Sequence, residues 1–282
     1  MTRGHRALRR QRRWGSSPMS RVTNPTTIAI IGASRGLGAS LAHCYAQPGR
    51  VLHLAARSQT ELDGITSAVT ENCKCVTAHT VDLTNDDDIV DWLTHLDQSG
   101  GVDLLIINAA IFGGNPALDQ PEPADVTRSL IATNLTGAII CANTMGQLMK
   151  QRGYGQIALM SSLAARMPSA DAATYSATKA GLSAFGRALR FDLTPHGVSI
   201  SVVHPGHIDT AQTRQQSGSK PMMVTPDKAA KKIMRGLAAG RTDISFPLAA
   251  RLLIFIHNVL PVSWQIRLAQ ASRFVVDNAT TK

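Results

Sequence analysis

A tyrosine and a lysine lie four residues apart in the segment Thr174-Tyr-Ser-Ala-Thr-Lys179. On an α-helix this spacing places both side chains on one face. Because a nearby ammonium group stabilises a phenolate, we expect Lys179 to lower the pKa of Tyr175 from its ordinary value of about 10. The pair therefore predicts a phenolic group that exchanges a proton at neutral pH. Taken alone, the spacing also fits a half-buried ring beside a solvated amine.

A glycine-rich segment follows the first apolar run of the chain and opens a helical pattern. It reads Gly32-Ala-Ser34-Arg35-Gly36-Leu37-Gly38 and comes directly after Thr26-Thr-Ile-Ala-Ile-Ile31. Glycine permits a tight turn there, and the backbone N–H groups at a helix N-terminus attract a pyrophosphate. Because strand, glycines, helix and a second strand follow in this order, the segment predicts a dinucleotide-binding loop.

The end of the second apolar run indicates which dinucleotide is bound. NAD-binding chains carry an Asp or Glu here for the ribose 2′-hydroxyl, whereas this run ends Leu54-Ala-Ala-Arg57. Arg57 and Arg35 can both face the adenosine ribose, and guanidinium groups suit a 2′-phosphate. We therefore expect NADP (NADPH) in preference to NAD. The alternative is two solvated surface arginines.

Seven short apolar segments alternate with helical patterns from Thr26 onward. Several are apolar on both faces, which is typical of a parallel sheet covered by helices on both sides. Helix starts are predicted at a capping box of Ser58 with Glu61, at the acids after Thr84, and at Thr225 before a proline. The sequence therefore predicts an α/β fold, a single doubly wound Rossmann domain with a mostly parallel seven-stranded sheet. The predicted strands are residues 26–31, 51–55, 76–81, 102–107, 156–160, 198–203 and 243–246.

From Thr26 to Phe246 these features resemble the short-chain dehydrogenase/reductase family. The family's T-G-x-x-x-G-x-G motif is present with Ile31 in place of the threonine, and its N-N-A-G motif appears as Ile107-Asn108-Ala109-Ala110. Ser162 stands at the family's interval before Tyr175, so we assign the catalytic serine there and not to Ser161. The resemblance implies a catalytic set of Asn134, Ser162, Tyr175 and Lys179.

The resemblance also implies a set of cofactor contacts. Asp82-Leu83 looks like the family's adenine-contacting segment, and Pro205-Gly206-His-Ile208-Asp-Thr210 looks like the stretch that touches the nicotinamide. The predicted cofactor-binding residues are Gly32, Ser34, Arg35, Gly36, Leu37, Gly38, Arg57, Asp82, Leu83, Asn108, Ala109, Tyr175, Lys179, Pro205, Gly206, Ile208 and Thr210.

The activity implied is NADP(H)-dependent interconversion of a carbonyl and an alcohol by hydride transfer. Tyr175 is expected to exchange the proton, Ser162 to hold the substrate oxygen, Lys179 to hold the nicotinamide ribose, and Asn134 to order a water-linked proton path. The alternative is a non-catalytic NADP-binding regulator or sensor on the same fold. The implied partners are a small-molecule carbonyl or alcohol substrate and further copies of the chain, as a homodimer or homotetramer.

The basic charge of the chain is concentrated at its start. Of the net charge of +10, six units come from arginines among the first 18 residues, which leaves +4 for the rest. We therefore predict no nucleic-acid site, and the four cysteines at poor spacings for a disulfide or zinc site predict reduced thiols, no metal and a cytoplasmic location. Residues 1–24 are predicted to be a disordered basic extension: a transit peptide, a phosphate-attracting arm, or sequence upstream of a start at Met19.

The last part of the predicted domain, residues 25–247, contains a polar segment at residues 211–224 where the family keeps a substrate lid. Residues 248–282 are predicted to form an apolar helical tail. We expect this tail to cover the substrate pocket or to contact another subunit. The alternative is a peripheral membrane-surface helix with Arg251 and Arg267 near lipid headgroups.

Overall fold

The computed structural model describes residues 22–218, 220 and 222–278. The basic segment predicted to be disordered lies outside this range up to position 21. Seven strands form one sheet in the order β3-β2-β1-β4-β5-β6-β7, and every pair of neighbours is parallel. The predicted doubly wound α/β fold is confirmed. The strands are β1 Thr27–Ile31, β2 Val51–Ala56, β3 Cys75–Thr80, β4 Leu104–Ile107, β5 Gly155–Met160, β6 Val198–Pro205 and β7 Asp243–Phe246.

Ten α-helices are present in the described residues, and a π-helical turn, Ala132–Gly137, joins the fourth to the fifth. Their caps follow the sequence: Ser58 accepts a hydrogen bond from Glu61 N, and Thr225 accepts one from Lys228 N. The helices are α1 Gly36–Tyr45, α2 Gln59–Thr70, α3 Asp86–Gln98, α4 Ala124–Ile131, α5 Ala138–Arg152, α6 Ala173–Leu193, α7 Ala211–Arg214, α8 Pro226–Ala238, α9 Leu248–Val259 and α10 Val262–Ala271.

The sheet separates two apolar cores. Along β1, Ile28 and Ile30 pack with residues of α1, α2 and α8, whereas Ala29 and Ile31 pack with residues of α3, α5 and α6. The period of two places alternate side chains on opposite faces, as a strand buried on both sides requires.

The strand order reverses at β1, which lies between β2 and β4. In open parallel sheets, ligands bind outside the carboxyl ends of the strands at such a switch point. The ends of β1, β4, β5 and β6 therefore define where the predicted site residues have to meet. Within the described ranges, no helix reaches the length and apolarity that crossing a bilayer demands.

Candidate active site

The glycine segment after β1 is packed too tightly for side chains. Gly32 has a φ of +80°, and a Cβ there would lie 2.6 Å from the backbone of Ala109. A Cβ on Gly38 would overlap the carbonyl oxygen of Gly32. Gly36, with a φ of +55°, also adopts the left-handed conformation that favours glycine. The segment thus brings bare backbone to the N-terminus of α1, which is the arrangement that a pyrophosphate needs.

Residues after β4 hold this loop in place. The backbone N–H groups of Asn108 and Ala109 donate to Ile31 O, at 3.0 and 2.9 Å. The Asn108 side chain donates to Gly32 O at 2.9 Å. Asn108 and Ala109 therefore fix the shape of the glycine loop from the neighbouring strand.

The segment after β6 reaches both the glycine loop and the end of β5. Pro205 ends β6, and a Cβ on Gly206 would lie 3.3 Å from the side chain of Leu163, next to Ser162. Thr210 approaches the loop from the other side, since its methyl group would lie 3.1 Å from a Cβ on Gly36. The structure thus brings together the segments that follow β1, β4, β5 and β6.

The two arginines predicted to face the adenosine ribose differ in their surroundings. Arg57 is exposed at the end of β2. Arg35 is also exposed, and its guanidinium lies 3.5 Å from the carboxylate of Glu61. Glu61 accepts a further hydrogen bond, at 2.8 Å, from Ser34 Oγ. The sequence does not predict this carboxylate beside the phosphate site, because there Glu61 is expected only as part of a helix cap.

Two further predicted cofactor residues lie after β3. Asp82 is half-buried and accepts hydrogen bonds from the backbone N and the hydroxyl of Thr84, both at 2.9 Å. Leu83 is buried, and its carbonyl oxygen lies against Gly137, where a Cβ would overlap it. The remaining predicted residues, Leu37 on α1 and Ile208 after β6, are half-buried and buried respectively.

Tyr175 and Lys179 lie on the first turns of α6, as predicted. Lys179 is buried, its Nζ donates to Met160 O at 3.0 Å, and it lies 5.7 Å from the centre of the Tyr175 ring. Tyr175 is half-buried, and the Ser162 side chain is close enough to its hydroxyl to lower the pKa of the tyrosine. Phe112 meets the ring edge-on, with 4.8 Å between ring centres.

The expected lowering of the Tyr175 pKa is wrong for the chain without ligands. Burial raises the pKa of Tyr175 to about 12, and the hydrogen bond from Ser162 offsets only part of this. Lys179 lies over the ring and directs its hydrogen bond to Met160, while its own burial lowers its pKa to about 8. Removal from water therefore outweighs charge attraction, and Tyr175 is a neutral hydroxyl at physiological pH.

Asn134 is fully buried in the π-helical turn. Its side-chain oxygen accepts from Ile111 N and its side-chain nitrogen donates to Ile111 O, both at 2.8 Å. These two hydrogen bonds fix the backbone immediately before Phe112. In the described structure Asn134 thus shapes the wall beside Tyr175.

Ser161 and Ser162 have different surroundings. Ser161 is buried, donates to Lys179 O at 2.9 Å and lies 2.7 Å from Ser183 Oγ. Ser183 continues this polar chain to His204 Nε2 at 3.1 Å. Ser162 is half-buried on the Tyr175 side. The buried network behind α6 was not predicted, because its members lie far apart in the sequence.

The last described residues, 273–278, follow α10, and we call them the C-terminal strap. Phe274 and Val276 form a cluster with Ala172, against which Phe112 and Tyr175 pack. The strap thus makes an apolar roof over the ring of Tyr175. The sequence does not predict this contact, because the strap lies about 100 residues after Tyr175 in the chain.

Asp171 anchors this strap from a buried position before α6. Its Oδ1 accepts from Arg273 Nε at 2.6 Å, and its Oδ2 accepts from Phe274 N at 3.0 Å. At the other end, the Asn278 side chain exchanges two hydrogen bonds with the backbone of Gly114. The roof is therefore tied at both ends.

Replacing Lys179 with methionine should raise the free energy of unfolding at pH 7 by about 1–3 kcal/mol. The folded pKa of about 8 lies below the ordinary 10.5, so below pH 8 the folded chain carries a buried charge that is cheaper in the unfolded chain. This cost declines as pH rises from 8 to 10.5, and so should the gain. Urea unfolding at pH 7 and 10.5 measures it. Lys231→Met, on the exposed side of α8, should change little at either pH, and a destabilised Lys179→Met protein would contradict the argument.

Comparison with known proteins gives consistent matches. A family model described as short chain dehydrogenase matches residues 26–220. A protein of Myxococcus xanthus described as an uncharacterized oxidoreductase is 30% identical over 236 residues, 83% of this chain and 92% of its own. A 3-oxoacyl-[acyl-carrier-protein] reductase of a Synechocystis strain is 29% identical over 199 residues, 70% of this chain and 80% of its own.

Two solved structures share the fold. A short chain dehydrogenase of Burkholderia cenocepacia, in complex with NADP, superposes with a TM-score of 0.74 at 23% identity, covering 87% of this chain and 98% of its own. A short-chain dehydrogenase of Sphingobium yanoikuyae, in complex with NADPH, gives a TM-score of 0.72 at 24% identity, covering 88% and 96%.

Proposed function

The chain belongs to the short-chain dehydrogenase family, and on this premise we propose that it is an NADP(H)-dependent oxidoreductase that interconverts a carbonyl and an alcohol, with Tyr175 as general acid and base. The observation that carries this proposal is the set of groups around Tyr175. These are the Ser162 side chain, the Lys179 ammonium over the ring, and the adjoining segment after β6 that leads to the glycine loop. We further propose the domain division at residues 25–247 and a homodimer or homotetramer.

The residues present fit a dinucleotide. The bare backbone of Gly32, Gly36 and Gly38 would hold the pyrophosphate, and the exposed Arg35 and Arg57 would hold a 2′-phosphate. The NADP and NADPH complexes of the two structural neighbours support this choice. When bound, NADPH would supply the hydride that reduces the carbonyl carbon.

The chain's own residues would supply the proton and orient the substrate. Ser162 would hold the substrate oxygen by a hydrogen bond that strengthens as negative charge develops there. Tyr175, with its raised pKa, is protonated at pH 7 and would deliver the proton to that oxygen. Lys179 would stabilise the phenolate left behind, since the ammonium already lies over the ring.

The roof residues indicate the character of the substrate. Phe112, Phe274 and Val276 place apolar surface beside Tyr175. An apolar carbonyl compound is therefore the class that this site would bind best. The test is an NADPH-oxidation screen over ketones, aldehydes, 3-oxoacyl thioesters, steroids and quinones, and we expect turnover with an apolar member. Tight NADPH binding without turnover of any compound in the panel would contradict the proposed enzymatic activity. It would support the alternative of a non-catalytic NADP-binding regulator.

Replacing Arg57 with alanine should raise the NADPH Michaelis constant about tenfold while leaving that for NADH nearly unchanged. The reason is that only NADPH carries the phosphate that a guanidinium would contact. Arg35→Ala should act in the same direction but less, because Glu61 already pairs with Arg35. Steady-state kinetics with both cofactors measure this selectivity. An Arg241→Ala variant, exposed next to β7, is the control, and equal losses for both cofactors would contradict the phosphate site.

A further inference from the structure

Helices α9 and α10 expose an unusual amount of apolar surface. Helix α9 buries only Ala250 and Ile254, and α10 buries no residue. Leu248 is 74% exposed, Phe255 66% and Val262 68%. Exposed apolar side chains in this number mark an interaction site. The exposed apolar side chains of the two helices are Leu248, Leu252, Leu253, Phe255, Ile256, Val259, Val262, Trp264, Ile266 and Leu268.

The arrangement of α9 separates its two faces. Ala250 and Ile254, four residues apart, point toward the protein body. Leu248, Leu252, Phe255 and Val259 recur at intervals of four and three residues and therefore form one outward line along the helix. The helix thus lies on the body along one side and presents the opposite side to its surroundings.

The charged side chains within these two helices have one sign. Residues 244–276 contain no Asp or Glu, whereas Arg251 and Arg267 are exposed within them. The third arginine of this stretch, Arg273, is bound to Asp171. On α10, the Arg267 guanidinium lies 5.7 Å from the centre of the Trp264 ring. Exposed apolar side chains, an exposed tryptophan and arginines with no acidic partner among the described residues are the combination that suits the headgroup region of an anionic bilayer.

We propose that α9 and α10 bind the surface of an anionic membrane, lying in its plane with their apolar side chains among the acyl chains. The arginines favour an anionic lipid surface over a second copy of the chain, because a second copy would bring the same positive charges to the contact. This membrane site is separate from the glycine loop and from Tyr175, and membrane binding would be a property in addition to the proposed activity. It also accounts for the exposure of these apolar side chains in the described chain.

Co-sedimentation of the full-length protein with vesicles tests the proposal. We expect binding to vesicles of phosphatidylcholine with about one third phosphatidylglycerol, and at least about tenfold weaker partition to phosphatidylcholine alone. A Leu252→Ser, Phe255→Ser, Trp264→Ser variant should lose binding by a similar factor. The matched control, Val90→Ser with Phe191→Ser, removes exposed apolar side chains from α3 and α6 and should bind like the original protein. NADPH affinity reports that both variants remain folded.

A second pair of variants tests the charge. Arg251→Glu with Arg267→Glu should lower binding to the anionic vesicles by about tenfold or more, whereas Lys228→Glu with Lys231→Glu, an equal charge change on α8, should lower it much less. Brominated lipids should quench the tryptophan fluorescence of the original protein. The quenched part of the signal should be absent in a Trp264→Phe variant, which assigns it to Trp264. Equal binding by all variants would overturn the proposal. So would a patch variant that changes only the oligomeric state in light scattering, because this outcome would assign the surface to a second copy.

Discussion

Replacing Tyr175 with phenylalanine should lower turnover by about 10²–10⁴-fold, the range of general acid–base catalysis, while NADPH affinity stays within a few-fold. The substitution removes the hydroxyl and keeps the ring that packs against Phe112 and the roof cluster. The fold and the glycine loop should therefore be unaffected. The measurement is kcat with the best substrate of the screen, together with a fluorescence titration of NADPH.

Tyr154→Phe is the matched control for this experiment. Tyr154 lies between α5 and β5 with its ring beside Arg152, and it is 39% exposed. Its loss of a hydroxyl should leave turnover within about twofold, as for most surface substitutions. Rates at the original level in Tyr175→Phe would remove Tyr175 from the reaction. A loss shared by both variants would indicate damage to the fold.

Replacing Asp171 with asparagine should lower the free energy of unfolding by about 3 kcal/mol, the low end of the cost of breaking a buried ion pair. The carboxylate is 1% exposed and holds both Arg273 and the backbone of Phe274. Arg273 is partly exposed, so water recovers some of its lost interaction. Because the strap carries the roof over Tyr175, turnover should fall as well. Urea unfolding and kcat measure the two effects.

Asp192→Asn provides the comparison for Asp171. Asp192 pairs with Lys150 at 3.2 Å, but its side chain is 54% exposed. Ion pairs of this kind contribute about 0–1 kcal/mol, so the variant should remain close to the original stability. If the two substitutions lower the free energy of unfolding equally, the strap is not held by the buried carboxylate of Asp171. A destabilised Asp171→Asn protein with full turnover would separate the strap from the site.

Much of the fold could be predicted because its signals are local. Several strands are apolar on both faces, and the caps at Ser58 and Thr225 stand beside the helices they start. The glycine loop could be predicted for the same reason, since the positive φ of Gly32 and Gly36 and the overlap of a Cβ on Gly38 with Gly32 O arise within seven residues. The family membership, which the comparisons bear out, was indicated by motifs of this local kind.

The rest depends on contacts between distant residues. Asp171 and Arg273 lie 102 residues apart, and neither stands in a recognisable motif. The direction of the Tyr175 pKa shift depends on whether burial, which raises the pKa, outweighs a nearby positive charge, which lowers it. The spacing of Tyr175 and Lys179 indicates the charge but not the burial. Glu61 illustrates the same limit, because its side chain leaves its own helix to bind Ser34 and Arg35.

The position of the strap in the chain also has a consequence for biosynthesis. Residues 273–278 leave the ribosome after all seven strands, although Phe274 and Val276 complete the wall around Tyr175. A nascent chain can therefore assemble its sheet and its glycine loop before the roof over Tyr175 is complete. A premature stop codon just ahead of Arg273 would yield a product that still captures dinucleotide but leaves the tyrosine open to water.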